Sequence, residues 1–235
     1  MAALVVFDLD GTLIDSRQDL AASTNDVLAG LGAGPLPVDV VEQMVGEGAR
    51  TLVHRALVHA GCDTDLDTAL AEFHRCYALR LLENTRPYDG ITEVLWSLAG
   101  TRMAVLTNKP LEPTRRLLES FGWTGIFDRV VGGDGPFPRK PDPAGLRDLM
   151  ASCEAAPDET MMVGDSMVDI DVARRAGTHI CVAAYGFGAS RGDLSLRGDE
   201  LIAHSAADIQ RLARRSLGVG GSRVRQGPQS TVPEW

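Results

Sequence analysis

No apolar run in this chain approaches the roughly 18–20 residues that a membrane-spanning helix needs. No basic segment precedes the apolar stretch Ala2–Phe7, which runs straight into Asp8, so no signal-peptide pattern is read. Cysteine is scarce. Cys62, Cys76, Cys153 and Cys181 are the four, and none forms a CxxC pair. That spacing argues against a zinc site or a redox pair; small buried thiols account for it without an oxidising compartment. An excess of positive charge is lacking as well. Against 32 acidic residues stand 23 basic ones, a net charge of −9. Such a surface argues against non-specific nucleic-acid binding and against docking on anionic lipid. A local site can still oppose the global charge, so an anionic substrate stays open. These absences predict a soluble, cytoplasmic protein with neither nucleic acid nor membrane as a partner.

What is present fits a globular chain. Hydrophobic residues make up 44% of 235 positions, enough for one large domain or one domain with an insert. Short continuous apolar runs recur at Ala3–Phe7, Met103–Leu106, Arg129–Val131, Thr160–Val163 and Ile180–Ala183. Continuous rather than alternating runs predict strands covered on both faces. Helical patterns lie between them: Pro113–Phe121 stops at Gly122, and Met167–Ala176 stops at Gly177. The expected fold class is therefore α/β, a Rossmann-like parallel sheet.

One region breaks the alternation. From Ser16 to Arg86 no convincing strand is read, while Ala49, Leu52, Val53, Ala56, Leu57 and Ala60 recur at helical spacing. Leu66, Ala69, Leu70, Phe73 and Tyr77 do the same. The expected organisation is an α/β core at 1–15 and 87–215, with an all-helical cap domain at 16–86. The Gly-, Ser-, Pro- and Gln-rich segment 216–235 reads as a disordered tail.

The densest chemistry is Phe7-Asp8-Leu9-Asp10-Gly11-Thr12. Strand alternation puts Asp8 and Asp10 on one side, at the carboxyl edge where open α/β sheets bind ligands. Two clustered carboxylates need a cation or a proton, which gives one nucleophile and one general acid. Thr107 and Asn108 end the next apolar strand and offer polar groups to a phosphate. Lys140, stiffened by Pro141 and Pro143, offers a fixed ammonium. Val163-Gly164-Asp165-Ser166 ends another strand, with Asp169 in the first turn of the helix that follows. Hard oxygen ligands near Asp8 suit Mg²⁺. N-capping by Asp165 or Ser166 is the plainer alternative.

Taken together, Asp8-Leu9-Asp10-Gly11-Thr12, Thr107, Lys140 and Gly164-Asp165-Ser166 with Asp169 resemble the four motifs of the haloacid dehalogenase superfamily of phosphohydrolases, over about residues 3–210. The resemblance implies that Asp8 attacks phosphorus to form an aspartyl-phosphate. It implies that Asp10 first protonates the leaving oxygen and then deprotonates water. By the same resemblance, Mg²⁺ is held by Asp8, the backbone carbonyl of Asp10 and Asp165, with Asp169 helping through water, and Thr107, Asn108 and Lys140 hold the phosphoryl group. An Asp at position 10 favours a phosphatase or a mutase over a dehalogenase.

Thr107-Asn108-Lys109-Pro110, Val131-Gly132-Gly133-Asp134, Arg139-Lys140-Pro141 and Val45-Gly46-Glu47-Gly48-Ala49-Arg50 look like the bacterial phosphoglycolate phosphatase group; Gly135-Pro136-Phe137-Pro138 departs from it. The implied partner is a small phosphorylated metabolite. Phosphosugar phosphatase, phosphoglucomutase-like mutase and a catalytically silent binding protein are the alternatives, and monomer and homodimer both stay open. For specificity the expected readers are Gly46, Glu47, Gly48 and Arg50, with Arg50 clamping the substrate's carboxylate.

Overall fold

The computed structural model describes residues 3–192 and 194–218. Its main sheet has six parallel strands: β1 (Leu4–Phe7), β4 (Arg102–Leu106), β5 (Arg129–Val131), β6 (Thr160–Gly164), β7 (His179–Ala183) and β8 (Leu201–Ala203). Their spatial order is β5-β4-β1-β6-β7-β8. The chain winds outward from β1 to β5, then returns to the other side of β1 and winds outward again. The crevice beside β1, where the winding reverses, is the usual ligand position of such a sheet.

Register explains the unbroken apolar runs. Val5 and Phe7 point to one face and Leu4 and Val6 to the other, and all four are fully buried. The first face packs with Leu95 of α5 (Ile91–Ser97) and with Ile209 and Ala213 of α9 (Ala206–Leu217). The second packs with Leu146 and Leu149 of α7 (Ala144–Ser152) and Ile170 of α8 (Met167–Ala176). Each such side chain contributes about 1.5–3 kcal/mol on burial.

All five expected strands are present, with ends shifted by at most one residue. β8 was not foreseen; it is three residues long, half-buried and at the sheet edge. The expected helix at Pro113–Phe121 runs instead over Leu111–Ser120, α6, with Pro113 in its first turn, where the backbone N–H is free of an intrahelical partner. α9 continues to Leu217, two residues beyond the expected core end at 215, and the expected tail from 219 onward lies outside the described residues.

Between β2 (Ile14–Asp15) and β3 (Arg86–Pro87) stand four helices: α1 (Arg17–Gly30), α2 (Val38–Glu42), α3 (Ala49–Ala60) and α4 (Leu66–Arg80). They enter and leave through a two-stranded antiparallel ribbon, β2 against β3. Arg86, expected at the end of the helical block, is thus in an extended segment. The two crossings are stapled by one buried carboxylate. Asp19, in the first turn of α1, accepts from Asn84 N (3.0 Å), Asn84 Nδ2 (2.9 Å), Thr85 N (2.8 Å) and Thr85 Oγ1 (2.7 Å). Burial alone would raise its carboxyl, but these donors outweigh it and hold Asp19 below the usual carboxylate range.

Asp19→Ala strips one acceptor from four donors and is expected to cost about 2–4 kcal/mol. Urea unfolding is expected to show a lower midpoint at unchanged slope.

Candidate active site

β1 delivers Asp8 to the carboxyl edge, where Asp8 N donates to Val163 O of β6 at 2.8 Å. The chain then turns sharply: the Leu9 carbonyl accepts from Thr12, Leu13 and Ile14 N–H groups at 3.2, 2.9 and 3.1 Å. Asp8, Asp165 and Asp169 offer carboxylate oxygens all within 4.8 Å of one another, and all three residues are buried. The expected meeting of residues from β1 and β6 is therefore observed. Lys140 joins them, with Nζ 2.8 Å from Asp8 Oδ1 and 2.6 Å from Asp169 Oδ1.

Asp10 behaves differently. It lines the same cavity as Asp8 but stands outside the three-carboxylate cluster. Its oxygens accept from Ser16 Oγ at 2.6 Å and from Lys109 Nζ at 3.0 Å on each side. Lys109 was not among the expected site residues. It lies just past β4 and also donates to Tyr77 Oη of α4 at 2.6 Å, beneath the ring face at 4.5 Å.

Asn108 and Asp169 are committed to the protein itself. Asn108 Oδ1 accepts from Lys140 N at 2.8 Å, while its amide donates to the carbonyls of Lys140 (3.0 Å) and Gly46 (2.9 Å). Its side chain thus seats Lys140 and reaches the inserted segment at Gly46, while the residue also lines the cavity beside Thr107. Asp169 spends Oδ1 on Lys140 and Oδ2 on Ser166 Oγ and N, at 2.6 and 3.2 Å. Asp165 accepts one hydrogen bond among the described residues, from Gly188 N at 2.6 Å.

Glycines build the wall behind Asp165. A Cβ at Gly11, whose φ is +85°, would lie 2.0 Å from Asp165 Oδ2. One at Gly186 would lie 2.1 Å from the Gly11 carbonyl and 2.5 Å from Asp165 Cβ, and one at Gly188 2.7 Å from Asp165 Oδ2. Gly186 and Gly188 were not foreseen, because their partners lie far away along the chain.

The charge balance shows what the cluster lacks. Burial, opposed by Lys140 and abetted by Asp169, pushes the Asp8 carboxyl up to about 7. Burial and the neighbouring Asp169 and Asp8 also raise Asp165 well above its usual range. Burial would lower the Lys140 ammonium, but Asp169 and Asp8 outweigh it, so Lys140 stays charged. Asp8 Oδ1 is buried beside Lys140 without an aligned hydrogen bond. Hard oxygen donors, crowded, buried and short of positive charge, fit a small divalent cation such as Mg²⁺. Asp8 and Asp165 are free to be direct ligands, whereas Asp169 is placed to orient Lys140 and Ser166.

Over this cluster lies a cavity of about 50 Å³, room for a few waters. Thr107 and Asp8 lie on its core side, and Val45, Gly46, Gly48, Leu52, Phe73 and Tyr77 on its helical side. Gly46 and Gly48 thus reach the site, both at positive φ (+116° and +93°). Glu47 and Arg50 do not line it. Glu47 pairs with Arg55, and the exposed Arg50 pairs with Asp67 across the α3–α4 surface. The expected carboxylate clamp is therefore turned away, because an acid on the neighbouring helix offers Arg50 a nearer partner. A larger cavity of about 640 Å³ lies at the opposite sheet edge, around Ala3, Trp96 and Arg102, away from these carboxylates.

Residues 5–183 match the family model of the haloacid dehalogenase-like hydrolases. The chain belongs to this family. A phosphoglycolate phosphatase of Rhodospirillum rubrum is 41% identical over 212 residues, covering 85% of this chain and 88% of the relative. One of Nitrosospira multiformis is 36% identical over 204 residues, covering 84% and 90%. A crystal structure described as a predicted phosphoglycolate phosphatase from Haemophilus somnus superimposes with a TM-score of 0.82 at 28% identity, over 90% of this chain and 97% of that one. As a member of this family the chain is a hydrolase with a Rossmann-like core. Among the described residues no helix is long and apolar enough to cross a membrane.

Two expectations follow. Without metal, folded Asp8 keeps a proton up to about pH 7 that the unfolded chain releases near its ordinary 3.8. Apo stability therefore falls as pH rises through that window, and Mg²⁺, which binds the ionised form, offsets the loss. The melting-temperature gain on adding saturating Mg²⁺ is expected to be larger at about pH 8 than at about pH 5; equal gains contradict the assignment. Arg50→Ala is expected to change kcat/KM by less than about twofold, since an exposed ion pair contributes little.

Proposed function

We propose that this protein is a Mg²⁺-dependent phosphatase of a small phosphorylated acid, phosphoglycolate foremost, working through an aspartyl-phosphate on Asp8. The observation that carries the reading is the buried Asp8 carboxylate at the reversal point of the sheet, held 2.8 Å from Lys140 and grouped with Asp165 and Asp169. The names of the relatives supply the substrate class.

Asp8 attacks phosphorus, forming a carboxylate O–P bond as the ester P–O bond breaks. Asp10 donates its proton to the departing oxygen, which leaves as an alcohol. Asp10 then takes a proton from water, whose oxygen attacks the same phosphorus and releases inorganic phosphate and free Asp8. Splitting one displacement into two lowers the barrier of each. Lys140 and the Thr107 hydroxyl stabilise charge on the equatorial oxygens. Asp8, Asp165 and the Asp10 carbonyl would hold Mg²⁺, which when bound would supply further positive charge to the phosphoryl group. The apolar wall of Leu20, Val45, Leu52 and Phe73 offers few partners to sugar hydroxyls, which favours a small acid over a phosphosugar.

Phosphate release from phosphoglycolate is expected to require Mg²⁺ and to exceed that from hexose phosphates in kcat/KM. Asp8→Asn is expected to reduce it about 10³-fold or more, since an amide is a poor nucleophile and metal ligand. Release that survives this substitution removes Asp8 as nucleophile.

A further inference from the structure

We propose that Lys109 is the specificity-determining residue of this site, the group that pairs with the anionic end of the substrate. The assignment rests on the phosphatase reading above and deepens it. Among the described residues, Lys109 is the sole lysine or arginine that lines the cavity. Arg50, expected in that role, faces Asp67 instead. The surrounding walls are apolar, at Leu20, Val45, Leu52 and Phe73. A carboxylate entering that space loses its water and needs a cation, and one is present.

The ammonium is prepared for an anion. Lys109 is 7% exposed. Its Nζ lies 3.0 Å from both Asp10 oxygens and 2.6 Å from Tyr77 Oη. It arrives from the core beside β4 and reaches Tyr77 of the helical layer, so it sits where the two layers close on the ligand. Burial pushes the Tyr77 hydroxyl up to about 12, which keeps it neutral and able to share hydrogen bonds with both Lys109 and an incoming anion.

Reach also fits. Lys109 Nζ is 3.0 Å from both oxygens of Asp10, the group that protonates the leaving oxygen. In a phosphorylated α-hydroxy acid one carbon separates that oxygen from the carboxylate. A cation adjoining the general acid is therefore within range of the substrate's carboxylate when Asp10 is within range of the bridging oxygen. The substrate carboxylate takes over a donor that Asp10 now holds, and Asp10 takes up a proton from water as it turns toward the leaving oxygen, so the buried charge is unchanged by the exchange.

The test compares two esters of matched size on the full chain with Mg²⁺: phosphoglycolate and 2-hydroxyethyl phosphate. Lys109→Gln keeps hydrogen-bonding capacity toward Asp10 and Tyr77 but removes the charge. Lys109→Met fills the same space without a donor and gives a second reading should the amide variant not fold. The expected result is a loss of about 10²–10³-fold in kcat/KM on phosphoglycolate, mainly as a rise in KM, against less than about tenfold on the neutral ester. Glycolate is expected to inhibit the wild type competitively and to lose that inhibition in either variant. Equal losses on both esters, with glycolate inhibition retained, overturn the assignment and leave Lys109 a counter-ion of Asp10. A wild type that does not prefer phosphoglycolate to the neutral ester overturns the substrate reading itself, which is a separate failure.

Discussion

Crowded negative charge governs this molecule. Asp8, Asp10, Asp165 and Asp169 converge on one edge of the sheet with Lys109 and Lys140 as their buried cations. Four carboxyl groups share two ammoniums there, and burial pushes Asp8 and Asp165 toward their protonated forms. Such an arrangement is unstable alone, since desolvation penalises every charge that lacks a partner. The apolar strands, the glycine wall and the Lys140–Asp169 pair all hold the acids together against their mutual repulsion. In the function proposed above, a divalent cation and a phosphoryl group relieve that crowding.

The two ammoniums divide the work. Lys140 is fixed between Asp8 and Asp169, its backbone seated by Asn108. Among the described residues its Nζ pairs with Asp8 and Asp169, both on the sheet side. Lys109 bridges from Asp10 to Tyr77 of that layer. One cation is therefore fixed within the carboxylate cluster, and the other stands where the core meets the inserted helices.

Sequence made the core legible because its chemistry sits at the ends of apolar runs. Asp8 after Ala3–Phe7 and Asp165 after Thr160–Gly164 could be placed together once the runs were read as parallel strands. Lys140 was found through its prolines and its likeness to a family motif. What stayed hidden depends on distant partners. Lys109 in Thr107-Asn108-Lys109-Pro110 has the look of turn chemistry, and its role appears only when Asp10 and Tyr77 are brought to it from 99 and 32 residues away. Gly186 and Gly188 are unremarkable until Asp165 packs against them. Asp19 does not stand out in the sequence, yet it is buried against Asn84 and Thr85. Arg50 misled for the same reason in reverse: Asp67, on a neighbouring helix, takes it away from the cavity.

The β2–β3 ribbon carries a wider consequence. The main chain passes between the sheet and the inserted helices at two adjacent points, bound to each other by backbone pairing and by Asp19. A segment joined at neighbouring ends behaves as a cassette. Its length and lining can change while Asp8, Asp165 and Asp169 on the other side of the ribbon keep their registration. Lining residues on the inserted helices can thus change independently of the carboxylate cluster, whereas Lys109, on the sheet side of the ribbon, stays tied to Asp10.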